Sequence, residues 1–281
     1  MQFSILASGS SGNACYVETA DANILIDAGL SGREIIRRLE LINVRPESLN
    51  AIIITHEHTD HIKGVGPLAR QLDIPVYGNM PTLKKGMKTI GNIAMPVPIH
   101  TGQTIAIKDL FIETFTKCHD AVDPMGLIIS SNGVRLGIVT DIGRSTKLIE
   151  NRLKGCQALI VEFNHDQKML DKGPYPLELK RRVKGPDGHL SNQQAGELLK
   201  AVSHENLSLV VLAHLSEINN LKEKAFNEAR MVLAECGLNN TSVLVSHQDH
   251  PTNLLHISSL VQSRRPMTGR TLKSDTSKRS K

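Results

Sequence analysis

The chain has 281 residues, 40% of them hydrophobic and 22% charged. That is the composition of an ordinary globular protein, and it excludes a disordered chain, a collagen and a disulfide-stapled miniprotein. The net charge of +5 is uneven: residues 262–281 carry +6 and the other 261 residues −1, so a near-neutral body precedes a basic, Ser/Thr-rich tail that reads as disordered.

In chain order, Phe3–Leu6, Cys15–Val17 and Ile24–Ile26 read as short strands, with the turn-forming Ser8-Gly9-Ser10-Ser11-Gly12-Asn13 after the first. Ser31-Gly32-Arg33-Glu34 reads as a capping box, with Ile35, Leu39 and Ile42 as the helical stripe behind it. Ala51–Ile54 is wholly apolar, the pattern of a strand buried on both faces. A helix over 65–72, a strand over 75–77 and a helix over 82–90 follow. The middle is extended at 104–107, 110–116, 127–131 and 134–139, with Asn132-Gly133 as a two-residue hairpin signal. The rest alternates: a helix over 145–153, strand 158–162, a basic helix over 176–184, helix 192–202, strand 209–213, helix 221–236, then strands 243–245 and 255–257. Strands dominate the first half and α/β alternation the second. This predicts an α+β sandwich, two stacked mixed sheets flanked by helices, over residues 1–261, with 262–281 outside it.

The buried strand at 51–54 runs into Thr55-His56-Glu57-His58-Thr59-Asp60-His61. His56 and His58 point to the same side of an extended backbone, and Asp60 and His61 follow where the chain turns. Imidazoles suit zinc, and a carboxylate suits a harder second ion such as manganese. Four solvated loop residues are the bland alternative, but HxHxDH arises by chance in only about one chain of this length per thousand.

HxHxDH after a short apolar strand resembles the metallo-β-lactamase superfamily of hydrolases. The resemblance implies an αββα sandwich and a dinuclear metal site at one edge of the sheets. It implies His56, His58 and His119 at one ion, Asp60, His61 and His214 at the other, and Asp141 bridging both. His119, Asp141 and His214 each follow a predicted strand, in the expected order. Taken alone, Asp141 reads equally as a helix cap. Glu57 lies between the histidines and does not replace His58, which favours hydrolysis over the redox chemistry of di-iron relatives.

Five stretches are similar to the YycJ/WalJ family of metal-dependent nucleases: Ser8–Asn13, Cys118-His119-Asp120-Ala121, Glu162-Phe163-Asn164-His165-Asp166, Gly188-His189-Leu190-Ser191-Asn192 and His214–Asn220. The resemblance implies a 5′-to-3′ exonuclease on duplex DNA, with two divalent ions, zinc or manganese, as cofactors. The residues support a phosphodiester in their own right. His189 precedes the capping box Ser191-Asn192-Gln193-Gln194, and a histidine at a helix N-terminus can bind phosphate or protonate a leaving oxygen. Ser191, Asn192, Asn164 and His165 are further candidate phosphate contacts. Ser8–Asn13 is a candidate phosphate cradle without P-loop spacing. Lys180, Arg181, Arg182 and Lys184 read as a solvated helix face or as backbone-phosphate contacts. Asp60 is expected to orient the attacking hydroxide and His189 to assist departure.

Rival readings are an RNA-processing nuclease, a small-molecule ester or lactone hydrolase on the same site, and a non-catalytic module. Only 73 residues separate Asp141 from His214, too few for the extra domain of many RNA-processing relatives. An RNA-end-processing relative of tRNase Z stays open, since its GH(S/T)-like motif resembles Gly188-His189, and DNA ahead of RNA is what the YycJ/WalJ resemblance implies. A membrane is not expected, since no apolar run reaches about 18 residues. Four scattered cysteines without a CxxC pair, and no signal-like N-terminus, point to the cytoplasm.

Overall fold

Apolar residues that occupy both faces of a strand need a packed layer on each side. In Ile24-Leu25-Ile26, Ile24 and Ile26 face one buried cluster and Leu25 another. The computed structural model, which describes residues 1–257, shows why. The chain forms two seven-stranded sheets stacked face to face, with helices on both outer sides. The tail over 262–281 lies outside the described residues.

The first sheet is built from β1 (Gln2–Ala7), β2 (Ala14–Glu18), β3 (Asn23–Ile26), β4 (Ala51–Ile53), β5 (Val76–Asn79) and β6 (Pro96–Ile99). The second uses β7 (Thr104–Ile107), β8 (Leu110–Thr116), β9 (Met125–Ser131), β10 (Val134–Val139), β11 (Ala158–Glu162), β12 (Leu209–Ala213) and β13 (Ser242–Val245). β14 (Leu255–His256) returns to the first. Their orders are β14-β1-β2-β3-β4-β5-β6 and β13-β12-β11-β10-β9-β8-β7. Each sheet is antiparallel on one side and parallel on the other, the parallel runs being β3 to β6 and β10 to β13.

The helices are α1 (Gly32–Leu41), α2 (Thr59–Ile62), α3 (Val65–Leu72), α4 (Met80–Ile90), α5 (Lys147–Leu153), α6 (Gln167–Lys172), α7 (Leu177–Lys184), α8 (Asn192–Val202) and α9 (Lys222–Glu235). Phe3, Ile53, Leu127 and Ile160 belong to the inter-sheet core. Leu39 and Leu68 close the outer face of the first sheet, and Leu198 and Leu233 that of the second.

The expected α+β sandwich is the observed one. Asn132 and Gly133 both take positive φ, +50° and +78°, as the tight hairpin turn between β9 and β10 requires. β6 was not expected: its Pro-Val-Pro pattern argues against a strand, but it lies at the sheet edge, where a missing N–H is tolerated. α2 and α6, of four and six residues, are too short to show a helical stripe in sequence. The capping box at α1 is half formed: Ser31 accepts from the Glu34 amide, but the Glu34 carboxylate is held by Arg37 and Arg38. All four cysteines are free, with Cys15 and Cys156 buried and Cys118 and Cys236 partly exposed. Among the described residues no helix is long and apolar enough to cross a membrane.

Candidate metal centre

The carboxyl ends of β3, β4, β8, β10, β11 and β12 meet at one edge of the sandwich. Each is followed at once, or within a few residues, by a polar side chain: Asp27, His56, His119, Asp141, His214, and, as the last residue of β11, Glu162. The ends of parallel strands are a common place for ligands in α/β sheets.

Three groups of possible ligands meet there, two of them made of the sequence candidates and the third joining Glu162 and His189 to His214. His56, His58 and His119 bring nitrogens within 4.8 Å of one another, and so do Asp60, His61, Asp141 and His214 with their ligand atoms. Asp141 stands between them. Its Oδ2 is 3.4 Å from His61 Nε2, and its Oδ1 is 3.3 Å from His214 Nε2 and 4.0 Å from His119 Nε2. All seven sequence candidates are thus brought together.

The surroundings fix these side chains. The Asp27 carboxylate accepts from the Thr55 amide and hydroxyl, both at 2.7 Å, and from His61 Nδ1 at 2.8 Å. Because the Thr55 hydroxyl spends its proton on Asp27, it accepts from His56 Nδ1 at 3.0 Å. His119 Nδ1 donates to the Gly188 carbonyl. The His214 amide donates to Ser8 Oγ at 2.7 Å, and Asn164 Nδ2 donates to the His214 carbonyl at 2.9 Å. The Asp60 carbonyl accepts from the Asn13 amide and lies so close to Gly29 that a Cβ there would sit 1.6 Å from it.

These contacts leave buried lone pairs unmatched. His56 Nε2, His214 Nε2 and Asp141 Oδ2 have no hydrogen-bond partner. Unpaired buried polar atoms are costly, and one in the first cluster with two in the second fit a cation at each. The set of imidazoles and carboxylates, with outer carboxylate and hydroxyl partners on the other ring nitrogens, suits divalent metal ions. Charge points the same way. Burial opposes the Asp141 charge, but His214 and His61 outweigh it and hold its pKa well below the ordinary range. Burial also opposes charge on His61, and Asp141 and Asp27 overcome it. For His56 burial dominates and keeps the ring neutral, as a metal ligand must be.

His189 sits beside the clusters. Its ring centre is 5.1 Å from that of His214 and 5.3 Å from that of His119. Its Nδ1 is 2.8 Å from Glu162 Oε1, while Glu162 Oε2 accepts from the Ile142 amide. Burial disfavours its charge, yet Glu162 raises its pKa to about 9. Glu162 is fully buried; the sequence shows it as the end of the strand over 158–162 and the start of a family-like stretch, without assigning it a role. Asp27 was missed as well, although it too follows an apolar strand. A buried, isolated carboxylate at such a position was the available signal.

The other candidates divide. Asn164, with Arg182, lines a cavity of about 250 Å³ that has His189 on its wall. Ser191, Asn192 and His165 are not among the residues lining it. Ser191 Oγ caps α8, Asn192 pairs with Asn220, and the His165 carbonyl accepts from the Asn192 amide. The amides of Ser191, Asn192 and Gln194 are thus spoken for, and Asn192 and Gln193 face a different cavity from the one beside His189. In Ser8–Asn13 five of the six amides, those of Ser8, Gly9, Ser11, Gly12 and Asn13, donate within the protein, and Ser10 lines the cavity beside His189. The loop also braces His214 and Asp60. Glu57 turns away, accepting from the Val122 amide and pairing with Lys85.

With this geometry in hand, the relatives can be read. Residues 22–214 match the beta-lactamase superfamily domain, so the class is that of metallo-β-lactamase-fold hydrolases. The chain is 37% identical to exodeoxyribonuclease YycJ of Bacillus anthracis, over 89% of this chain and 96% of that protein. It is also 37% identical to exodeoxyribonuclease WalJ of Streptococcus pneumoniae, over 84% of this chain and 90% of that one. Within the superfamily, the chain belongs to the family of these two exodeoxyribonucleases. The fold also matches YhfI of Bacillus subtilis, with a TM-score of 0.69 at 18% identity, covering 89% of this chain and 98% of that structure.

Proposed function

We propose that the protein is a metal-dependent phosphodiesterase that degrades DNA, a 5′-to-3′ exonuclease acting at duplex ends. The observation that carries this reading is the juxtaposition of two ligand clusters, Asp141 belonging to one and lying 4.0 Å from His119 of the other, with unpaired atoms turned inward and a carboxylate-held histidine beside them. The relatives named as exodeoxyribonucleases support DNA as the substrate. Two divalent ions, zinc or manganese, would be held by His56, His58 and His119 and by Asp60, His61 and His214, with Asp141 between them. Bound there, the ions would activate water and offset charge on the phosphate oxygens.

The chain's own residues then divide the work. Asp60, the most exposed member of the second cluster, orients the attacking water and takes its proton. The water oxygen bonds to phosphorus as the bond from phosphorus to the leaving oxygen breaks. His189, kept protonated by Glu162, gives its proton to that oxygen. Asp27, Asn164 and Ser8 hold the ligand histidines in place. Arg182 offers positive charge to the backbone, although its Nε already donates to Asp120 at 2.6 Å. A cytoplasmic setting fits four cysteines that are all unpaired.

The test is incubation of the metal-loaded protein with 5′-labelled linear duplex DNA and with RNA of the same sequence, using Asp60→Ala as control. Stepwise release of nucleotides from DNA by the wild type alone is expected. Preferential RNA cleavage, or no cleavage with both metal positions filled, refutes the reading.

A further inference from the structure

Beside the metal centre lies the cavity of about 250 Å³ already mentioned, below the roughly 300–1,000 Å³ of ordinary ligand pockets. It is too small for a base pair. Its walls combine Tyr175, Leu179 and Asn219, which nothing else in the site requires, with Arg182 and its partner Asp120. Aromatic residues make up only 3% of the chain, so a tyrosine here is not a matter of abundance.

Asn219 is the decisive observation. It is 1% exposed, and both its Nδ2 and its Oδ1 lack any hydrogen-bond partner. Its backbone is tied down, the amide to Ser216 Oγ and the carbonyl to the Asp166 amide, and its Oδ1 lies against Gly173, where a Cβ would come within 2.3 Å. A buried carboxamide with a free donor and a free acceptor costs stability unless a ligand completes it. The edge of a nucleobase offers both partners at once.

We propose that this cavity is a subsite for a single nucleotide, the one attached to the leaving oxygen, with Tyr175 stacking on its base, Asn219 pairing with the base edge and Arg182 meeting its phosphate. The proposal rests on the nuclease reading above. The side follows from His189, which belongs to both the cavity wall and the metal centre. Whatever fills the cavity therefore lies on the His189 side of the phosphorus, the side away from Asp60. In a 5′-to-3′ reaction the group that takes the His189 proton is O3′ of the terminal nucleotide. Water adds to phosphorus, the P–O3′ bond breaks, and the nucleotide departs with its own 5′-phosphate and a new 3′-hydroxyl. The shortened strand keeps the phosphate that was attacked. A cavity of this size admits one unit, so the end of the duplex must fray by one pair for each cut.

The experiment uses the metal-loaded full chain and two probes, thymidine 5′-monophosphate and inorganic phosphate, with binding read by calorimetry and with the products of duplex digestion sized. The proposal expects mononucleotide products and tighter binding of the nucleotide than of phosphate. Tyr175→Ala should weaken thymidine monophosphate and raise KM for DNA by roughly 5- to 100-fold, the range for loss of one stacked base. Tyr175→Phe should stay near wild type, Asn219→Ala should weaken the nucleotide in the same direction, and phosphate binding should not change in any of them. Nucleotide binding no tighter than phosphate, or unaltered by Tyr175→Ala and Asn219→Ala, overturns the subsite. If the wild type binds the nucleotide through Tyr175 but leaves DNA intact, the subsite stands and the nuclease reading falls.

Discussion

Asp27→Asn removes one charge and leaves the shape, and it should weaken both ion positions at once. Asp27 accepts three hydrogen bonds, and the chain of donors behind it sets two tautomers. With an ion bound, His61 gives its Nδ1 proton to Asp27 and turns its Nε2 lone pair to the ion; without one, Asp141 and Asp27 keep the ring charged. The Thr55 hydroxyl also donates to Asp27, so His56 must give its own Nδ1 proton to Thr55, and its Nε2 faces the first cluster unprotonated. In the variant, the new amide placed toward His61 is a donor. His61 must then accept at Nδ1 and carry its proton on Nε2. The Thr55 hydroxyl now accepts from the amide and turns its proton to His56, which is protonated on Nε2 as well. Flipping the amide rescues His61 but sets a donor against the buried Thr55 amide, at a cost of roughly 1–3 kcal/mol.

Losing an outer-sphere partner typically lowers metal affinity by about 10- to 100-fold, or ~1.4–2.7 kcal/mol. Here a loss of that order is expected at each position. Competition with a chromophoric chelator measures it, and long-range 15N NMR of the imidazoles reads the tautomers directly. Wild-type affinity at both positions, or Nε2–H tautomers already present in the metal-loaded wild type, would refute the reasoning.

His189→Gln should lower kcat by roughly 10²–10⁴, the usual share of a general acid, with metal content by mass spectrometry unchanged. Glu162→Gln should approach that loss in kcat with little change in KM, since Gln still accepts from the Ile142 amide but no longer charges His189. Glu34 tests stability. Hydrogen bonding to Arg37, then to the buried Arg38, holds its carboxyl down to about 2. A depressed carboxyl stabilises the fold above its ordinary range and loses that contribution as pH falls through the folded value. Glu34→Gln should cost ~1 kcal/mol at pH 7, since the carboxylate is partly exposed, and the gap in denaturant midpoint should close between about pH 4.5 and 2. Removing ions with a chelator should lower the melting temperature, because ligand present at 100 times Kd contributes about 2.7 kcal/mol. An unchanged melting curve would mean that the clusters bind nothing.

The sheets were legible because their period is two and their burial is double. Ile24-Leu25-Ile26, Ala51–Ile54 and Leu209–Ala213 are wholly apolar, and each sits between two packed layers. His56 to His61 were legible because six consecutive residues carry four ligands. What stayed hidden is non-local. Asp27 reaches His61 across 34 positions and Glu162 reaches His189 across 27, and no spacing rule links either pair. Ser191 and Asn192 misled for the opposite reason. The cap was read correctly, and a formed cap uses up the very groups that would bind phosphate. Asn219 carries no local signal at all, since its unmet bonds exist only in the folded chain.

Among the described residues, three of the seven non-glycine residues with positive φ lie at the site. Asp27, Asp141 and His214 each follow a strand and each take a left-handed backbone, with φ of +57°, +54° and +55°. Such a conformation costs roughly 1–3 kcal/mol at a non-glycine residue, less for Asp than for His. Each of these turns lets the chain leave a strand and point a side chain back across its end, toward the same edge. A relaxed turn would send the carboxylate of Asp141 or the ring of His214 outward. The strain is thus the geometric condition for convergence, and the hydrogen bonds of Ser8 and Asn164 to His214 hold that turn against relaxation. Bound ions would offset it through the lone pairs left unmatched. This places the energetic link between fold and site in the backbone of three residues rather than in the ligands alone.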